Sequence, residues 1–210
     1  MHNIMAQEIN LNTRTQLLLA TFIDKMSASM QVAADEKKLK YSDALYYKRF
    51  ALPTGASGLQ DLLLNDDSQK DGYCNISKQK ISQGAAFMAD RFTVKVFTVA
   101  TSSLPAGADE GSVTYGTVAA ATAVPELQCA ELEMTVNGER QFMLPLNAFN
   151  HETVASNSDK DGFNVTAPIF VNDEVLLQFR LHLPQGKSIA ATQTVFVEVC
   201  MYGAECRISR

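Results

Sequence analysis

The sequence contains no tryptophan, only three histidines and four cysteines, and no long apolar run. A membrane-spanning helix needs roughly 20 apolar residues, so no membrane span is predicted. The cysteines are far apart and have no histidine beside them, which argues against a zinc site. There is also no G-x-S-x-G, P-loop, G-x-G-x-x-G or HExxH motif. We therefore predict that the chain is not an enzyme and uses no metal or other cofactor.

The N-terminus carries no recognisable secretion signal. Residues 1–12 lack a basic start and an apolar core, and the apolar run that follows is soon interrupted by Asp24 and Lys25. Without secretion, the cysteines should be reduced and mostly packed in the core. A bridge between Cys200 and Cys206 is the alternative.

Charge gives little support to nucleic-acid binding. The net charge is −5 and no long block of Lys or Arg offsets it. Tyr41 to Phe50 combines aromatic and basic residues, which could stack on bases. In an acidic chain, a core edge or an interface is the favoured interpretation of this segment. We predict no specific nucleic-acid partner.

The most informative feature of the sequence is apolar alternation with period two, which is typical of strands. It is clearest at Glu174–Leu183 and Thr194–Tyr202, and it recurs at Arg91–Ala100 and in the hairpin Glu126–Leu146. The buried face of the first segment is predicted to carry Val175, Leu177, Phe179, Leu181 and Leu183. About eight strands are expected after residue 73, with Gly203-Ala204 as the last turn. This pattern predicts a mainly β, antiparallel, jelly-roll-like sandwich.

The hairpin at Asn137-Gly138 has two possible registers. A two-residue loop would place Leu132 opposite Met143, which mixes apolar and polar faces. A three-residue loop with a left-handed Gly138 would place Leu132 opposite Phe142 and keep the apolar residues together. The second register is the predicted one.

A helical arm is predicted before the strands. Thr13 and Gln16 fit a capping box, and an apolar stripe follows with helical spacing until about Lys38. The arm could pack on its own sandwich or on a neighbouring subunit. The predicted organisation is an arm and connecting segment at residues 1–72, followed by a β-sandwich domain at 73–210.

Residues 13–64 carry more apolar surface than one sandwich needs, which indicates self-association. Methionines in the helical stripe suit an adaptable contact surface. The predicted homo-oligomer interface consists of Leu19, Phe22, Met26, Met30, Tyr46, Tyr47 and Phe50.

Three further groups contain side chains that could support metal binding or catalysis. Asn157–Gly162 matches the first half of a calcium loop, and Asp67–Gly72 echoes it, but neither has a glutamate at the twelfth position. Glu131 and Glu133 could supply paired carboxylates, although an exposed ladder on one strand face is the favoured interpretation. His182 is expected to be an outward or hydrogen-bonded side chain rather than a base.

The combination of a helical N-terminal arm, small-residue loops such as TSSLPAGADEGS and strands such as FNVTAPIFVNDEVLLQFRLHLP resembles bacteriophage or viral virion proteins of the jelly-roll type. The chain is too short for two complete jelly rolls. The resemblance implies a capsid or head-associated subunit that is made in the host cytoplasm and assembles with itself and other virion proteins. The alternative is a non-catalytic sandwich module that binds carbohydrate or a protein receptor, although tryptophan platforms are missing.

Overall fold

Two antiparallel sheets face each other in the computed structural model, which describes residues 11–149, 162–173 and 175–209. The strands are β1 Leu39–Ala51, β2 Leu59–Asp61, β3 Ala85–Ala100, β4 Gly116–Thr117, β5 Glu131–Val136, β6 Glu139–Pro145, β7 Phe163–Asn172, β8 Leu177–His182 and β9 Gln193–Ile208. The helices are α1 Leu11–Thr21, α2 Ala28–Asp35 and the single turn α3 Pro125–Gln128. Short 3₁₀ segments lie at Ile23–Lys25, Thr101–Ser103, Val118–Ala120 and Leu146–Phe149.

The strands pair in nested order. Apart from the two-residue β4, the first strand pairs with the last, β2 with β8, β3 with β7, and β5 with β6. Additional pairing of β9 with β3 and of β8 with β5 joins these pairs into two sheets. Sheet 1 is ordered β1-β9-β3, with β7 and β4 both on the far side of β3, and sheet 2 is ordered β2-β8-β5-β6. Eight strands connected this way form a jelly roll, so the predicted fold class is confirmed.

The main core lies between the inner faces of the two sheets. In β8 the burial alternates as predicted, with Leu177, Phe179 and Leu181 inside and the residues between them half-exposed. In β9 most residues are buried on both faces. The two most strongly patterned segments of the sequence are therefore inner strands of opposite sheets.

The arm begins differently from the prediction. Thr13 lies within α1 rather than at its start, and the expected helix to Lys38 is broken between Thr21 and Ala28. Met26 is extended there, which turns the chain between α1 and α2. The turn lets Leu19 on α1 and Met30 on α2 both reach sheet 1, where each is fully buried.

The two helices cover part of the outer face of sheet 1 and form a second hydrophobic cluster there. The arm residues Leu19, Met26 and Met30 pack against strand residues of β3 and β9. The buried strand residues of this cluster are Ala86, Met88, Ala204 and Cys206. The arm thus packs on its own sandwich.

The predicted boundary at residue 72 does not divide the structure. β1 pairs with β9 along its whole length, and β2 pairs with β8. Residues 39–72 therefore belong to the sandwich. Seven of the nine strands, β3 to β9, begin after residue 73.

Gly203 lies inside β9 rather than at the predicted turn. A β-carbon at this position would lie 1.9 Å from the carbonyl oxygen of Met88, so only glycine allows the strands to approach. The pairing shifts register here, because Asp90 bulges out of β3 between Ala89 and Arg91. The glycine marks a close approach of two strands.

The predicted hairpin register is wrong. Asn137 and Gly138 both have positive φ, at 53° and 79°, and form a two-residue loop between Val136 and Glu139. The bulge lies further along, at Gln141, and it places Leu132 opposite Leu144. Both apolar faces still point inward, because the bulge restores the alternation that the short loop would have inverted.

Candidate interaction surfaces

The seven residues of the predicted interface do not form one surface. Leu19, Met26 and Met30 are buried in the second cluster. Tyr46 is buried in the main core, with its ring edge-on to Phe87 at 4.9 Å. Within this chain only the half-buried members offer surface to a partner, namely Phe22, Tyr47 and Phe50. Their role in an interface stays a prediction.

The basic residues of the Tyr41–Phe50 segment are engaged inside the chain. Lys48 is mostly buried and bonds Asp67 at 2.5 Å. Arg49 bonds Glu198 at 2.7 Å and donates to the carbonyl oxygen of Gly72 at 2.8 Å. These cations are already neutralised, which leaves them poorly suited to bind phosphates.

Glu133 lies at the centre of a polar cluster on the outer face of sheet 2. It is only 6% exposed, which corrects the expectation of a solvated ladder. Arg140 Nε lies 2.8 Å from one carboxylate oxygen and His182 Nε2 lies 2.8 Å from the other. Burial opposes ionisation, but the hydrogen bonds from Arg140 and His182 hold the pKa of Glu133 below its usual value. The expectation of a hydrogen-bonded His182 is confirmed.

A second polar row follows on the same face. Arg180 bonds Asp61 at 3.0 Å and Gln178 at 3.3 Å, and Gln178 in turn accepts from Thr135 at 3.1 Å. The ends of the row come from β2 and β5, so it ties three strands together. The outer face of sheet 2 thus carries two polar groups, the Glu133 cluster and this row.

A groove of about 650 Å³ opens on the other side of the sandwich, between β6 and β7. Each of these strands lies at an edge of its sheet in the described chain. Phe142 and Phe163 form part of its lining, and Phe22 and Lys25 lie at its end next to the arm. Pro168 in the lining is typical of an edge strand, because proline has no N–H to donate to a neighbouring strand. Sequence reasoning did not foresee the groove itself, because its two walls come from different sheets.

The groove is open because β7 leaves β3 for part of its length. Asn164 pairs with Arg91 and Ile169 pairs with Ala89, so the four residues between them face the single residue Asp90. Residues 165–168 have no register partner in β3. This stretch therefore lacks the regular pairing with β3 that the rest of β7 makes.

In residues 11–149, 162–173 and 175–209, no group of three or more His, Cys, Asp or Glu side chains is placed to hold a metal ion. The calcium-like loop Asn157–Gly162 lies outside the described residues, except for Gly162. In the second loop, Asp67 bonds Lys48 and the backbone of Leu64 instead.

The four cysteines are free, as expected. Cys74, Cys200 and Cys206 are buried, whereas Cys129 is exposed. Burial raises the pKa of Cys200 to about 12, so this thiol is a packing residue and not a nucleophile.

Among the described helices, none is long and apolar enough to cross a membrane. Comparison with known proteins gives no further identification, because no family model and no curated protein matches the sequence.

Proposed function

We propose that this chain is a structural subunit of a virion and acts through self-assembly. The observation that carries the proposal is the complete nested pairing of a jelly roll, an architecture that viral capsid domains share with lectin domains and cupins. A fold alone does not set a function, so the surface of the sandwich must supply the rest of the argument.

Exposed apolar side chains on the edge strands support self-association. β1 and β2 are the edge strands of sheets 1 and 2 on the side opposite the groove. Leu45 on β1 is 41% exposed, Leu59 on β2 is 51% exposed and Leu64 just beyond is 42% exposed. Apolar surface of this kind is covered when copies of the chain meet through these side chains.

The test is light scattering and negative-stain electron microscopy of the full-length protein at high micromolar concentration. We expect regular assemblies, which should weaken in the Leu45→Lys/Leu59→Lys variant because two charges would enter the contact. Ser102→Lys, in an exposed 3₁₀ segment, is the matched control and should assemble normally. A monomeric full-length protein would contradict the proposal.

The second candidate is a non-catalytic binding module for carbohydrate or a protein receptor. The polar row from Asp61 to Thr135 favours it, because fixed hydrogen-bonding side chains on an uncovered sheet can orient a polar ligand. Binding on a glycan array that is abolished by Arg180→Ala, without assemblies in the microscope, would favour this candidate.

A further inference from the structure

The groove between β6 and β7 has the character of a peptide site. Its lining combines apolar side chains with a stretch of strand backbone that has no register partner in β3. The volume of about 650 Å³ falls in the range of typical ligand sites in proteins. An extended segment could place apolar side chains in the groove and pair its backbone with residues 165–168.

The contacts of helix α1 show how the arm is oriented relative to this groove. Gln16 on α1 contacts Asp43 on β1, whereas Phe22 near the end of α1 stacks on Phe170 of β7 at 5.4 Å. Helix α1 therefore runs across sheet 1 from the β1 edge towards the β7 edge. The first described residue, Leu11, therefore lies towards the edge opposite the groove.

Residues 1–10, which lie outside the described residues, have suitable chemistry for the groove. Their sequence, MHNIMAQEIN, contains Ile4, Met5 and Ile9 as apolar anchors and Glu8 as its only acid. Lys25 at the groove is exposed and makes no ion pair with any described carboxylate, so it can meet an acidic residue. Ten residues can extend roughly 33 Å, which exceeds the gap between neighbouring sheet edges.

We infer that residues 1–10 of one copy occupy the groove between β6 and β7 of a second copy. The inference rests on the proposed function, since it specifies how subunits join. Because the donating edge and the accepting groove lie on opposite sides of one molecule, the contact is head-to-tail. Repetition of this contact generates a ring if the rotation between successive copies returns to the first copy, and a filament if it does not.

Disulfide trapping between two full-length chains tests the inference. Cys129→Ser removes the exposed thiol from both chains. One chain then carries Ile4→Cys and the other, with a different tag, carries Thr166→Cys in the exposed part of the groove wall. We expect a covalent heterodimer after mixing and mild oxidation, and none when Lys187→Cys, in an exposed turn, replaces Thr166→Cys.

A charge exchange provides the second measurement. Glu8→Lys and Lys25→Glu should each weaken assembly by a few-fold when alone, because like charges then meet at the groove. A mixture of the two variants should assemble normally when the copies alternate. Position 8 of each variant then meets the opposite charge at position 25 of the other. Lys187→Glu serves as the matched control for a lost lysine.

The outcomes separate the inference from the proposed function. Assemblies that persist without a heterodimer would overturn the groove contact but leave self-assembly standing. A cross-link that forms only within one chain carrying both cysteines would place the segment in its own groove and overturn the exchange. A full-length monomer would contradict both.

Discussion

Phe179 lies on the inner face of β8 and is 1% exposed. Replacing it with Ala should lower the free energy of unfolding by about 3–5 kcal/mol, because a large cavity would remain in the main core. Gln178→Ala and Arg180→Ala, on the half-exposed face, should cost far less. Urea denaturation of the three variants checks this, and equal losses would show that the buried face is assigned wrongly.

Glu133 should make stability depend on acid. The pKa of this buried carboxyl is lower in the folded chain than its ordinary value of 4.5. Its stabilisation is therefore fully present above pH 4.5 and is lost as the pH falls through the folded value. Glu133→Gln should cost about 1–3 kcal/mol at neutral pH and should reduce the further loss on acidification. Urea midpoints between about pH 6 and pH 3 measure both effects.

Glu131→Gln is the matched control for this prediction. Glu131 lies on the same strand face and is more exposed, and its side chain makes no hydrogen bond or ion pair with the described residues. Its substitution should leave the acid dependence nearly unchanged. An equal change in both variants would mean that the Arg140 and His182 contacts do not stabilise the fold.

At the residue scale, the sequence allowed the buried face of β8 to be predicted, because alternation fixes which side chains share a face. It did not allow the burial of Glu133 to be predicted. The partners of Glu133 come from β6 and β8, and Arg140 lies close only in the observed hairpin register. Such a cluster depends on pairings between strands, which alternation within one strand does not specify.

At the element scale, the bulge between β3 and β9 makes Gly203 the most demanding glycine of the sandwich. Gly203→Ala should cost about 3 kcal/mol or more, since the new methyl group would overlap the Met88 carbonyl. Gly107→Ala is the control, because φ is +78° there and nothing lies within 4 Å. It should cost only about 1–2 kcal/mol, the price of a left-handed alanine. Similar thermal midpoints for the two variants would contradict this account.

The hairpin shows what limits prediction at this scale. The prediction that Leu132 and the residue opposite it both face the core is correct, with Leu144 as the observed partner. The position of the extra residue was wrong, since a bulge at Gln141 satisfies the same requirement as a longer loop. Alternation determines which faces of the two strands must be paired. It does not determine where the extra residue lies, because a bulge at any of several positions pairs the same faces.

At the scale of the whole molecule, the arm is a second packed layer. Leu19 is fully buried and Leu17, two residues earlier on the same helix, is 58% exposed. Leu19→Ala should therefore lower stability by about 2–5 kcal/mol, while Leu17→Ala should change it by no more than about 0.5 kcal/mol. Thermal unfolding of the full-length variants checks the difference. Equal effects would mean that the arm does not dock as described.

Removal of residues 1–37 should expose the second cluster but leave the main core intact, because none of the described arm side chains belongs to that core. The cut spares Leu39, where β1 begins. We expect a folded, less stable domain that binds a hydrophobic dye and no longer assembles. Circular dichroism and light scattering measure this, and outright unfolding would show that the sandwich depends on its arm.

The general architecture could be predicted from the sequence, but its division into parts could not. In β1 the buried positions do not form an apolar pattern in the sequence, because the buried Lys48 is charged and is held by the distant Asp67. The segment therefore looked like a connection before the sandwich. Its assignment to sheet 1 depends on pairing with β9, at the other end of the chain.

The pairing of β1 with β9 also has a consequence for folding during synthesis. β9 is the strand that joins β1 to β3, so sheet 1 cannot close until residues 193–208 have left the ribosome. At about 5–20 residues per second, the earlier strands wait many seconds with unpaired edges. Contacts between such distant segments form slowly and leave partly folded chains prone to aggregation. The nascent chain is thus expected to depend on protection by a chaperone until its last strand is made.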